Sequence, residues 1–497
     1  MTPIKTDLEA DRVTELETLL RPAVELIAQH IKDTDENDKP IGPYYPNPRD
    51  LYQSLKLEAD FNGGGKDDEL VIQTVKKVLD SSVNTWNAGF MDKLYASTNV
   101  IGLVSDLLLS ALNTNSHVFT VSPAVTIIEK YTARQYAGLF GFLGPRAGGL
   151  TFPGGSWSNV TSLQMARSSL YPDTKVKGNG NHHFAVFASS HSHYSVEKAC
   201  ILLGIGAENL FKCKVDKNGC MDVTDLRVNI EKSIAEGYTP LYINATAGTT
   251  VFGSYDSFED IHKIAKEYKC WFHIDGSWGG NVIFSDREKH KMKGSHLADS
   301  ITANPHKMLG VPCTCSFLLV PDVSIFQQAN SLNAPYLFHN KHEDDDENYD
   351  LADGTMGCGR RADSLKFYLS WLYYGSEGYK ERVDHAFSIA RYFTSKIVNR
   401  KGFKLVGSPE PACLQVCFYY NPKNDFENGS ENTNATRYIA TELHKHGKFL
   451  VDYSPNPDDV DNQHGEFFRV VFNSPILDDK TIDSLIDLIE QTGEEIV

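Results

Sequence analysis

Between residues 184 and 320, short apolar runs alternate with segments of helical periodicity, and this alternation limits the fold more than any other feature of the chain. Phe184-Ala185-Val186-Phe187-Ala188, Leu241-Tyr242-Ile243, Trp271-Phe272-His273-Ile274 and Ser316-Phe317-Leu318-Leu319-Val320 lack the polar alternation of a half-exposed strand. They read as strands covered on both faces. Between two of them, Ile261, Ile264, Ala265 and Tyr268 recur at helical spacing. Strand, helix, strand in that order predicts βαβ units, a mainly parallel sheet and an α/β fold.

The same texture runs from about 86 to 375, read as one large domain. Residues 1–85 read as an N-terminal helical segment, interrupted by four prolines between Lys39 and Pro48 and by Asn62-Gly63-Gly64-Gly65. Beyond Gly375-Ser376-Glu377-Gly378, a helix is predicted from Val383, Ala386, Phe387, Ala390, Phe393 and Ile397 on one face. Strands near 413–420 and 467–472 and a terminal helix complete a small C-terminal α/β domain over 376–497. The polar segments His342 to Asn348 and Asn421 to Asn434 are predicted as mobile surface loops.

The 48 basic and 65 acidic side chains leave a formal charge of −17, which argues against a nucleic-acid partner. A small acidic ligand stays open, because net charge says little about one pocket. Nine cysteines with no CxxC pair point to a reduced, cytoplasmic setting. The charged N-terminus lacks a signal-peptide core, and Ile101 to Leu112 is too short to span a bilayer, so no membrane association is expected. The sequons at Asn159, Asn244 and Asn434 read as chance matches. His339 and His342 beside Glu343-Asp344-Asp345-Asp346-Glu347 read as part of a solvated loop, and no metal is expected.

Four features after predicted strands carry chemistry. Asn304-Pro305-His306-Lys307 follows the strand-like Ser300-Ile301-Thr302-Ala303. Strand ends line the ligand crevice of an open α/β sheet, and a lysine there can form a Schiff base with an aldehyde. Alone, the tetrapeptide also suits a surface lysine in a turn. Asp275 ends the run Trp271 to Ile274 and needs a partner, such as a pyridinium nitrogen; an N-cap or a metal ligand also fits. Phe152-Pro153-Gly154-Gly155-Ser156-Trp157-Ser158-Asn159 precedes a helical stretch, so its backbone N–H groups can face a phosphate. Ser190-His191-Ser192-His193-Tyr194-Ser195 offers a histidine to an aromatic ring, or else a hydrogen-bonded core residue.

Taken in order, phosphate loop, histidine, carboxylate and lysine resemble the group II pyridoxal-phosphate decarboxylases, within them the glutamate decarboxylase and cysteine sulfinate decarboxylase branch. The resemblance runs from about Asn84 to the C-terminus. It includes Leu112-Asn113-Thr114-Asn115, Ala245 to Gly253, Asn304 to Met308, Cys358-Gly359-Arg360 and Phe467-Phe468-Arg469. It implies the fold-type I (aspartate aminotransferase-like) architecture, pyridoxal 5′-phosphate as cofactor, and an obligate homodimer with active sites at the subunit interface. It also implies roles: Lys307 as the Schiff-base lysine, Asp275 as partner of the pyridine nitrogen, and His193 rather than His191 against the ring. Gly155, Ser156, Asn304 and His306 are similar to the cofactor cradle, Thr250 to the threonine beside the ring, and Arg469 to the arginine for the substrate's remaining carboxylate.

Three departures stand out. Gly276-Ser277 replaces the family's two alanines after the aspartate. Met91-Asp92-Lys93-Leu94 stands where glutamate decarboxylases have Phe-Asn-Gln-Leu, which makes Lys93 a second substrate cation, or else a solvent lysine or a partner of Asp92. The catalytic loop has become the acidic run at 343–347, so Tyr349 is the proton donor only if the alignment slips. The expected reaction is α-decarboxylation of a small acidic amino acid, glutamate or aspartate ahead of cysteine sulfinate. Another reaction on the same cofactor, or a silent dimer with a binding role, is the alternative.

Overall fold

The predicted βαβ pattern becomes a seven-stranded sheet in the computed structural model, which describes residues 11–36, 39–55, 68–332, 348–457, 459 and 463–496. Its strands are β1 (Gly148–Phe152), β2 (Phe184–Ser189), β3 (Leu210–Cys213), β4 (Thr239–Thr246), β5 (Trp271–Gly276), β6 (Ser300–Ala303) and β7 (Ser316–Val320). Across the sheet they run β1-β7-β6-β5-β4-β2-β3. The stretch from β3 to β6 is parallel, and β7 is antiparallel to both of its neighbours. All residues of β1, β2, β5, β6 and β7 are buried, which accounts for the missing polar alternation. The two strands without a strong apolar run, β1 and β3, lie at the sheet's edges.

Two compact units divide the chain: one is Thr98–Phe418 with Val471–Pro475, the other Met1–Ser97, Tyr419–Val470 and Ile476–Val497. The sheet belongs to the first unit. Its helix Phe258–Tyr268 buries Ile261, Ile264 and Ala265, three of the four residues that predicted it, and stops at Lys269 in a left-handed conformation. The helix Gly155–Leu170 starts after Gly154, whose φ of 103° favours glycine. The predicted periodic helix is the second half of Ser364–Ile397, and Gly375, at φ 67°, breaks the two halves apart. Two motifs of unassigned role meet here: the Asn115 side chain accepts from the Arg360 backbone N–H at 2.8 Å, and Arg360 pairs with buried Glu129 at 2.5 Å.

In the second unit, Phe90–Met91 pairs parallel with Leu450–Val451, and Asp452–Pro455 pairs antiparallel with Glu466–Arg469. The expected loop Asn421 to Asn434 is shorter than its polarity suggested, because helix Gly429–Lys445 begins inside it. Asn428 caps that helix by accepting from the Glu431 N–H, and buried Asn432 donates to the carbonyls of Phe426 and His464. Its polar residues thus mark a helix start. Among the described residues, no helix is long and apolar enough to cross a membrane.

Candidate active site

Parallel strands end at one edge of the sheet, and that edge collects the predicted residues. Register pairs Thr246 of β4 with Asp275 of β5, and Asp275 with Thr302 of β6. Beyond the strand ends lie Gly248 and Thr250, then Ser277 and Trp278, then Asn304, His306 and Lys307. With Gly155, Ser156, His193, Tyr194, Thr246 and Asp275 they line a cavity of about 160 Å³. All eight residues assigned from the sequence to the cofactor are among them.

The electrostatics centre on Asp275, which is 4 % exposed. Its Oδ1 accepts the Ser277 backbone N–H at 3.0 Å, and its Oδ2 accepts Asn159 Nδ2 at 2.8 Å. Asn159 is held in turn, since its Oδ1 accepts the Thr302 hydroxyl at 2.9 Å and faces His273 Nε2 at 3.1 Å. Burial opposes the charge on Asp275, but His193, Ser277 and His273 outweigh it and hold the carboxyl below the usual carboxylate range. Burial pushes the His193 imidazole down, with Lys307 adding to the effect and Asp275 opposing it. His193 Nδ1 accepts the Ser195 N–H at 3.2 Å, so the neutral ring carries its proton on Nε2. Burial also lowers His306 to about 4, and its Nδ1 lies 2.7 Å from the Cys315 carbonyl.

Lys307 sits at the turn after β6, where Asn473 Nδ2 donates to its carbonyl at 3.0 Å. A Cβ on Gly155 would lie 2.5 Å from Ser277 Oγ and 2.7 Å from Asn304 Nδ2, so glycine keeps the cradle open. Asn304 Oδ1 is buried without a hydrogen-bond partner among the described residues. Glycine cradle, helix N-terminus, buried carboxylate and lysine together fit pyridoxal 5′-phosphate, with Gly155 and Ser156 towards the phosphate and Asp275 towards the ring nitrogen. Among the described residues, no group of side chains is placed to hold a metal ion.

Three predicted residues do not line this cavity. Tyr349 lines a separate one with Lys130, whose Nζ lies 4.5 Å from the centre of its ring. Lys93 and Arg469 belong to the second unit, where both reach Asp452. The acidic run 343–347, His339 and His342 fall outside the described residues. The role of Asn159 escaped the sequence reading; its one signal is its position a helical turn after Gly155.

Known proteins are similar to this chain. The family described as "Pyridoxal-dependent decarboxylase conserved domain" matches residues 48–421. L-aspartate decarboxylase dtxS4 of Metarhizium robertsii is 44 % identical, covering 98 % of both chains. A glutamate decarboxylase-like protein of Gibberella zeae is 34 % identical over 93 % of each. Among solved structures, mouse CSAD superposes with a TM-score of 0.89 at 29 % identity, covering 97 % of this chain and 99 % of that one.

Proposed function

Because this chain belongs to the pyridoxal-dependent decarboxylase family, we propose that it removes the α-carboxylate of L-aspartate, giving β-alanine and carbon dioxide. The protein is a pyridoxal-phosphate-dependent amino-acid decarboxylase. The observation that carries the substrate is the 44 % identity to an L-aspartate decarboxylase across 98 % of both chains. L-glutamate is the second reading, favoured by the 34 % identical glutamate decarboxylase-like relative.

Pyridoxal phosphate supplies an electron sink conjugated to the substrate's amine. Lys307 provides the amine that holds the cofactor's aldehyde carbon. Asp275, kept ionised by Asn159 and Ser277, holds a proton on the ring nitrogen. His193 walls the cavity and helps to hold the Asp275 carboxyl below the usual carboxylate range. The bond to the α-carboxylate breaks, its electron pair stays with the α-carbon, and a proton takes the place of carbon dioxide. Arg469 is assigned to the substrate's second carboxylate, on the match of Phe467-Phe468-Arg469 to the family pattern.

The working form is assigned as a cytoplasmic homodimer. Five apolar side chains on helix Val100–Leu112, namely Val100, Val104, Leu107, Leu108 and Leu112, are 42–59 % exposed, which suits a face covered by a second copy. All nine cysteines are free thiols, as a reducing compartment favours. The test is carbon dioxide release from L-aspartate, L-glutamate, cysteine sulfinate and L-tryptophan. Aspartate is expected to have the highest kcat/KM; a higher value for any other of the four overturns the assignment.

A further inference from the structure

Three adjacent strands in the second unit bring four charges together. Met91 pairs with Val451, so Asp92 follows beside Asp452, and Asp452 is the cross-strand partner of Arg469. Arg469 Nη2 donates to Asp452 Oδ2 and, at 3.3 Å, to the Asp92 carbonyl. Lys93 Nζ reaches the same Asp452 oxygen at 3.2 Å and Asp92 Oδ2 at 3.0 Å. Both cations therefore converge on one carboxylate oxygen, and the Arg469 side chain is only 8 % exposed. Burial raises the Asp92 carboxyl, with Lys93 opposing and Asp452 adding to the rise.

With all four groups ionised, the cluster is neutral. An acidic group approaching Arg469 therefore meets a guanidinium already shared with Asp452. It gains a two-pronged contact through Nη2 by displacing Asp452 or the weaker bond to the Asp92 carbonyl. We propose that Asp452 is a specificity-determining residue: it sets the positive charge that Arg469 and Lys93 offer to a substrate's second acidic group, and so sets how strongly that group is held. The inference rests on the reading of Arg469 as the substrate's arginine.

The test uses the holoenzyme with Asp452→Asn, which keeps an oxygen for the Tyr453 N–H that Asp452 Oδ1 now accepts at 2.9 Å. KM for L-aspartate and for L-glutamate should fall at least threefold, with kcat within twofold. The Kd of succinate, a dicarboxylate without an amine, should fall by a similar factor, and both gains should shrink in 0.5 M salt. Asp452→Ala should move in the same direction and serves if the asparagine variant does not fold. A KM or succinate Kd that stays the same or rises overturns the proposal. Arg469→Gln separates the two readings. If it leaves KM for L-aspartate unchanged, the reading of Arg469 fails and the inference with it. If it raises KM tenfold while Asp452→Asn does not lower it, the inference alone fails.

Discussion

Asn159 donates to Asp275 across 116 positions of sequence, at 2.8 Å, and links the helix behind the phosphate cradle to the carboxylate behind the ring site. Removing this donor leaves a buried carboxylate with fewer partners, which costs about 1–3 kcal/mol. Asn159→Ala should therefore fold but lower kcat, less severely than Asp275→Asn, which removes the charge itself. Steady-state kinetics with cofactor in excess checks this. An Asn159→Ala enzyme with wild-type kcat would show that Asp275 does not depend on it.

Gly155 faces Ser277 Oγ and Asn304 Nδ2, and a Cβ there would lie 2.5 and 2.7 Å from them. Gly155→Ala should lower cofactor affinity at least tenfold, measured by fluorescence titration with pyridoxal phosphate. Unchanged affinity would mean that the cradle lies elsewhere.

Arg360 and Glu129 form a buried pair, 5 % and 0 % exposed, that ties the segment after residue 357 to helix Pro123–Leu139. Arg360→Met strands a buried carboxylate and should cost about 3–5 kcal/mol of stability. Adding Glu129→Leu should recover part of that loss. Denaturant melts decide, and a single variant as stable as wild type contradicts the structural role.

Burial lowers two histidines, His273 and His306, to about 4. In the unfolded chain a histidine titrates near ~6.5, so between those values the unfolded state binds protons that the native state does not. Stability should fall as pH drops through this window, by on the order of 3 kcal/mol for each ring. Asp256, pushed up to about 6 by burial, acts with the opposite sign as pH falls from there towards the ordinary carboxylate value. Two histidines outweigh one carboxylate. Melts from pH 7 to 4.5 should show a net loss, and a flat or rising profile contradicts it.

Asp275 and Lys307 were legible in the sequence because each follows a run buried on both faces, and such runs announce themselves by composition. The central strands β5, β6 and β7 were legible for the same reason. Edge strand β1 opens with Gly148-Gly149, and β3 spans four residues with Lys212 exposed, so neither carries a strong apolar signal. Partners joined only by the fold were hidden. Trp278 Nε1 donates to Gln415 Oε1 at 2.8 Å, and Lys93 meets Asp452 across 359 positions. The Lys93 ion pair with Asp92, one of the options in the sequence, is present at 3.0 Å, but the second carboxylate was not foreseeable from neighbouring residues. Helix Gly429–Lys445 was masked by its own polar cap, since capping residues and loop residues are the same types.

The central claim is that Lys307, at the end of β6, holds the cofactor by its ε-amine. Borohydride reduction of the holoenzyme followed by peptide mapping tests it most directly. The pyridoxyl label is predicted on Lys307 and on no other lysine, and Lys307→Ala should abolish both the label and multiple turnover while leaving a folded protein. A label on another lysine, or a Lys307→Ala enzyme that still turns over, would contradict the account.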